Sequence, residues 1–172
     1  MAYVSYHLKE VIKKTARNCA IAAVPGAFVP GLDMAAVGGF WLYMMTEIAN
    51  EHNVTFDEEP IKFIGTVVAG VGAYWTGSRI INRVLMGVLL IFAPIAFVIA
   101  APLLNVFLNA FFTWSVGRRM NDIFAANDNK KAGKEIAYQI VRAVCHLPSR
   151  SEISDFFDET CISLSWLKDL LS

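Results

Sequence analysis

Histidine, cysteine and paired carboxylates are the side chains here with the means to do chemistry, and their spacing decides how far that goes. The three histidines, His7, His52 and His146, stand in unrelated surroundings. Glu47 and Glu51 form an i,i+4 acidic pair just before His52, but the order is neither His-Glu-x-x-His nor Glu-x-x-His. Two carboxylates in line hold a metal or move a proton only where partners converge, so this pair reads as a solvated helix end. Cys19, Cys145 and Cys161 are an odd, scattered set without Cys-x-x-Cys, which argues against a disulfide framework and fits a reducing compartment. Gly65 to Gly70 and Gly72 to Gly77 repeat the glycine spacing of a Walker motif, yet neither is followed by Lys-Ser/Thr. No Gly-x-Ser-x-Gly elbow or dinucleotide fingerprint occurs. Catalytic residues, a cofactor and a metal are therefore not expected.

The residues that must position these groups are unusually apolar. The chain has 172 residues, 56% hydrophobic and 17% charged, with a mean hydropathy of +0.48. Both figures depart from those of an ordinary water-soluble domain, in the direction of a membrane protein. From Val84 to Gly117 there is no Asp, Glu, Lys, Arg or His. A continuous helix of that length runs to roughly 50 Å, against a hydrocarbon core of about 30 Å. Lys9, Lys13, Lys14 and Arg17 precede the apolar region, and Arg118, Arg119, Lys130, Lys131 and Lys134 follow it. The net charge is zero, which gives no nucleic-acid signature. The N-terminus carries charges every few residues and shows no secretory signal peptide.

Ser5 is placed to cap a basic amphipathic helix from near Tyr6, with Leu8, Val11, Ile12, Ala16 and Cys19 on its apolar side. Pro25-Gly26 and Pro30-Gly31 should stop it near Val24, and Asp33 should cap a new helix over Met34 to Glu51. An acidic loop, Asn53 to Pro60, comes next. In the helix expected over Ile61 to Gly77, Gly65, Ala69, Ala73 and Gly77 recur every fourth residue, a small-residue ridge for close helix packing or oligomerisation. Arg79 and Arg83 either snorkel to an interface or pair with Asp33 or Glu47. Pro94 and Pro102 predict a kink or break, and Asn105, Asn109 and Thr113 line one polar face. That face is expected to be hydrogen-bonded glue between helices, with a pore lining as the alternative. Asn121 to Lys134 reads as a polar surface loop. Glu135 to Leu147 reads as an amphipathic helix, Ser149 with Glu152 as a capping box, and the C-terminal stretch as a docking helix.

From Ala20 to Phe124 the pattern resembles a family of bacterial membrane-associated domains, found in YcjF-like inner-membrane proteins and at the C-terminal end of some Era-like GTPases. AAVPGAFVPGLD, the Met-bearing helix ending TEIANEHNV, and LNAFFTWSVGRRMNDIF carry the resemblance. It marks Pro25, Pro30, Asp33 and Gly117 as turn positions, with Thr113 and Gly117 matching a Thr-x-x-x-Gly helix. The family's usual Tyr-Gly after the second helix is His52-Asn53 here. The resemblance implies architecture and membrane association, and no active residues.

The sequence thus predicts an all-α, membrane-associated hydrophobic helical bundle over residues 1–124, followed by a polar loop and amphipathic helical tail over 125–172. Basic flanks on both sides are expected to place both termini in the cytoplasm, and the resemblance implies a bacterial inner membrane. Two deep helices are expected, near Ile61 to Gly77 and Val84 to Leu104, although the link GSRIINR between them is itself basic. The expected function is a non-enzymatic, self-associating scaffold or partner for a cytoplasmic factor, with lipid and a second copy as partners and no nucleic acid. An oligomeric pore and a soluble self-assembling protein are the alternatives.

Overall fold

The computed structural model describes residues 4–26, 34–56, 59, 62–63, 65–67, 94–127, 130–145, 149–160 and 162. Among them the order is α1 (Tyr6–Gly26), α2 (Met34–Glu51), β1 (Thr55–Phe56), α3 (Pro94–Ala126), β2 (Lys131–Ala132), α4 (Lys134–Val144) and α5 (Arg150–Thr160). The architecture is all-α apart from one two-stranded parallel pair, in which Thr55 is opposite Lys131 and Phe56 opposite Ala132. No helix among the described residues is long and apolar enough to cross a membrane. Most of the two deep helices expected from the sequence lies outside the described residues.

Helix α1 starts where Ser5 Oγ accepts the Leu8 N–H at 3.3 Å, satisfying one otherwise orphaned donor. It buries Leu8, Val11, Ile12, Thr15, Ala16, Cys19 and Ala20 on one side. It also continues through Pro25 to Gly26 instead of stopping near Val24. A proline in the last turn removes a single i→i−4 bond, which leaves the preceding turns intact. Helix α2 buries Trp41, Met44, Met45, Ile48 and Ala49. It ends in a Schellman turn: Val54 N–H donates to Ala49 O at 2.9 Å, Asn53 N–H donates to Asn50 O at 3.2 Å, and Asn53 has φ 49°. Asparagine tolerates that left-handed conformation through its short polar side chain.

Helix α3 is the axis of the body and packs against α1, α2, α4 and α5. Of the kink or break expected at Pro102, the break does not occur: the helix runs on through it, because one missing hydrogen bond leaves its neighbours' bonds in place. It also runs past Arg119 to Ala126, so Asn121 to Lys134 is not one surface loop. Met120 and Phe124 extend the buried stripe of Val106, Ala110, Thr113 and Gly117 through the polar residues. The stripe carries Asn121, fully buried, with it. Side chains such as Ile12, Met44, Ile48, Met120 and Phe124 are fully buried, each contributing about 1.5–3 kcal/mol relative to exposure.

The end of α3 is tied to the loop after α2. Phe56 lies against Phe63 and Phe124, with ring centroids 5.0 and 6.4 Å away. Thr55 N–H donates to Lys130 O at 3.2 Å. The acidic loop expected over Asn53 to Pro60 therefore contains a strand with a half-buried aromatic. Helix α4 buries Ile136, Ala137, Ile140 and Val144, the i, i+4 stripe of an amphipathic helix laid on α3.

Candidate functional site

Among the described glycines, Gly117 is the one at which other helices come close. A Cβ built there would lie 2.9 Å from Ile12 Cγ1, 2.9 Å from Met44 Sδ and 3.1 Å from Ile12 Cγ2. These atoms come from α1 and α2, so the missing side chain of Gly117 is what lets three helices meet. The Thr-x-x-x-Gly spacing places Thr113 one turn earlier on the same face.

Thr113 is fully buried. Its Oγ1 accepts the indole Nε1–H of Trp41 at 2.9 Å, and its hydroxyl bonds the Cys19 thiol. The three helices are thereby joined by polar bonds at the level where their backbones approach. Burial pushes the Cys19 thiol up to about 11, with the Thr113 bond pulling the other way, so Cys19 is a protonated packing residue at neutral pH. Thr113→Val keeps the shape but strands the buried indole donor, and is expected to cost about 1–3 kcal/mol in urea unfolding. Thr113→Ser, which keeps the acceptor, should recover most of that loss.

A second constellation holds α5 to α3. Arg118 Nη1 donates to Glu159 Oε1 at 2.6 Å, and Trp114 Nε1–H donates to Glu159 Oε2 at 2.9 Å. The Arg118 guanidinium carbon also sits 5.7 Å from the Trp114 ring centroid, within cation–π range. Arg119 pairs with Glu152. That carboxylate has a double role: its Oε2 accepts the Ser149 N–H at 2.8 Å while Ser149 Oγ accepts the Glu152 N–H at 3.2 Å. The capping box read from the sequence is thus also one jaw of the clamp. Between the ion pairs, Phe156 packs edge-on to Phe107, Phe111 and Trp114, with centroids 5.7, 5.4 and 5.7 Å away.

Desolvation raises the Glu152 pKa, but the Ser149 N–H bond and the Arg119 charge outweigh it, holding the group below its usual 4.5. A carboxylate with a depressed folded-state pKa adds stability that is present above the unfolded value and lost as pH falls through the folded value. Acidification from pH 5 to below about 4 is therefore expected to loosen α5 first. Amide hydrogen exchange of residues 150–160 checks this, and Glu152→Gln should remove that part of the pH dependence.

The remaining candidate positions are dispersed. Asn109 is buried in α3; Asn105 lies in the same helix, its side chain outside the described set. Gly65 is helical, and a Cβ there would meet nothing within 4 Å, whereas Ala69, Ala73 and Gly77 lie outside the described residues, as do Pro30 and Asp33. Glu47 meets His7 at 3.4 Å near the surface. His52 contacts Asn121 Oδ1 at 2.9 Å; Asn121 Nδ2 is buried without a partner among the described residues. Arg79, Arg83 and their expected partner Asp33 are outside the described residues. Glu152 and Glu159 were not foreseen as partners of Arg118 and Arg119, although Glu152, Phe156 and Glu159 share a helix face at i, i+4 and i+7.

No group of three or more His, Cys, Asp or Glu able to hold a metal occurs among the described residues. Comparison with known protein families, with characterised proteins and with solved structures finds no match for this chain.

Proposed function

We propose that the protein is a non-enzymatic, membrane-associated helical scaffold that self-associates and presents a water-facing helical body to a cytoplasmic factor. The observation that carries this reading is the double character of α3. Its N-terminal part belongs to the uncharged run Val84–Gly117, while its C-terminal part is the core of a body fastened by the Gly117 crossing and the arginine clamp. An apolar run of that length calls for lipid or a partner surface as its solvent.

The YcjF-like resemblance supports the same assignment, with a bacterial inner-membrane location and both termini in the cytoplasm. Self-association is supported by the spacing of Gly65, Ala69, Ala73 and Gly77, whose first member meets no neighbour within 4 Å. The burial and internal hydrogen bond of Thr113 favour glue over a pore lining for the polar face. Membrane fractionation of the full chain followed by native mass measurement in detergent tests the proposal. Recovery in the membrane fraction as an oligomer is expected; a detergent-free soluble monomer would overturn it.

A further inference from the structure

Side-chain contacts fix how α1, α2 and α3 are aligned. Cys19 and Trp41 both bond Thr113, Ile12 and Met44 both approach Gly117, and His52 meets Asn121. Helix α2 therefore runs parallel to α3, and α1 runs against both. This alignment gathers three stretches without a charged residue at one end of the bundle: 18–26 of α1, 34–46 of α2 and 94–117 of α3. Charge begins at nearly one level on all three, with Arg17, Glu47 and Arg118. The outer surface changes at that level. On α1, Lys9 and Lys14 are exposed on the charged side, and Ile21, one turn past Arg17, is 50% exposed. On α2, Tyr43 is equally exposed one turn before Glu47, a place where an aromatic with a polar tip suits a headgroup layer. Thr46, between them, donates its hydroxyl to Leu42 O at 2.9 Å.

Helix α5 marks the same level. Glu152 and Glu159 are about 10 Å apart along it, yet they meet neighbouring residues of α3, Arg119 and Arg118. It therefore crosses α3 where charge begins, with Phe157 stacked on Phe107 toward the uncharged end.

We propose that the α1–α2 pair is inserted into one leaflet of a bilayer beside α3, in contact with acyl chains from Arg17 and Glu47 inward. The proposal rests on the membrane-associated reading and extends lipid contact from α3 to two further helices. A helix of a water-soluble bundle carries charge along the length of its outer face. A single level shared by three helices is what a planar boundary between two solvents imposes. The lengths agree: at ~1.5 Å per residue, 18–26 runs about 13 Å and 34–46 about 19 Å, against ~15 Å for one leaflet of the hydrocarbon core. Both arms have their charged ends on the same side, so the pair enters and leaves by one face. Asp33 is the single charged residue of 18–46.

The test places a fluorescent label at Ile21→Cys, Gly39→Cys, Lys9→Cys, Glu51→Cys or Phe97→Cys. Each is made in the full chain carrying Cys19→Ala, Cys145→Ser and Cys161→Ser, and reconstituted in vesicles of brominated phosphatidylcholine. Ile21 is half exposed and a Cβ at Gly39 meets nothing within 4 Å, so circular dichroism should match the unlabelled chain. Labels at 21, 39 and 97 should lose fluorescence to acyl-chain bromines, and labels at 9 and 51 should keep it. Bromines near the chain ends should quench 39 more than 21, since 39 lies about 12 Å inward of Glu47 and 21 about 6 Å inward of Arg17. Quenching at 97 without quenching at 21 and 39 would overturn this proposal and leave the scaffold reading standing. No quenching at any position would overturn both. Disulfide-linked dimers through 21 or 39, without quenching there, would give the surface to a second copy and overturn the lipid assignment.

Discussion

Phe156→Ala is expected to lower the unfolding free energy by about 3–5 kcal/mol and to free α5 from the body. The side chain is fully buried, and its ring touches those of Phe107, Phe111, Trp114 and Phe157. Truncation leaves a cavity lined by rigid aromatics that have little freedom to collapse into it, which puts the loss at the upper end for large-to-small changes. The two flanking ion pairs do not compensate. Arg118–Glu159 and Arg119–Glu152 are only partly buried, and ion pairs that keep contact with solvent contribute about 1 kcal/mol each. The aromatic therefore carries the attachment and the charges set its register. Urea unfolding of the full chain gives the magnitude. Limited proteolysis locates it, since cleavage should appear first within residues 149–162, before any cut in α1 or α3. Phe156→Leu, which refills most of the volume, should keep α5 attached.

Gly117→Val is the second large expected effect, with loss of about 3 kcal/mol or more by overpacking. Already a single Cβ would stand 2.9 Å from both Ile12 Cγ1 and Met44 Sδ. Met44 can move its thioether, but Ile12 is branched, fully buried and held by its own helix. Alanine gives the sharper comparison. Glycine in a helix interior is intrinsically worse than alanine by about 0.8–1.0 kcal/mol, so Gly117→Ala would stabilise the chain if space were free. The contact distances say it is not, and steric loss should outweigh the propensity gain. In an Ile12→Ala background both crowding γ-carbons are gone, and Gly117→Ala should then turn neutral or stabilising. A double-mutant cycle measured by urea unfolding checks that change of sign. Additive effects would mean that the crossing is looser than the distances imply.

What the sequence made legible was local. Ser5 and Ser149–Glu152 stand at fixed offsets from the helices they cap, and both are found as caps. The helical spacing of Leu8 to Cys19 and of Ile136 to Val144 marks the buried faces of α1 and α4. The pairings that build the body were not legible, because they span long separations. Trp41 reaches Thr113 across 72 residues, and Arg118 reaches Glu159 across 41. Nothing near Arg118 distinguishes a basic pair that faces water from one that grips a helix. Asn121 misled for a different reason: polarity among Arg118, Arg119, Asn121 and Asp122 resembles a loop, although Val116, Met120 and Phe124 continue the buried stripe beneath it. Gly117 is marked as a turn by the resemblance, yet it lies inside α3 at a crossing with α1 and α2, which only the long-range packing reveals.

Depth of the chain in a bilayer tests the scaffold reading most directly at α3. A single fluorescent label is placed at Phe97→Cys or at Ala126→Cys, in a chain carrying Cys19→Ala, Cys145→Ser and Cys161→Ser. The chain is reconstituted in vesicles containing brominated lipid. Label at 97 should be strongly quenched by acyl-chain bromines and label at 126 should not, because α3 runs about 44 Å between them at ~1.5 Å per residue. Absence of quenching at both positions would contradict an apolar run that meets lipid, and equal quenching at both would contradict a body that stands clear of it.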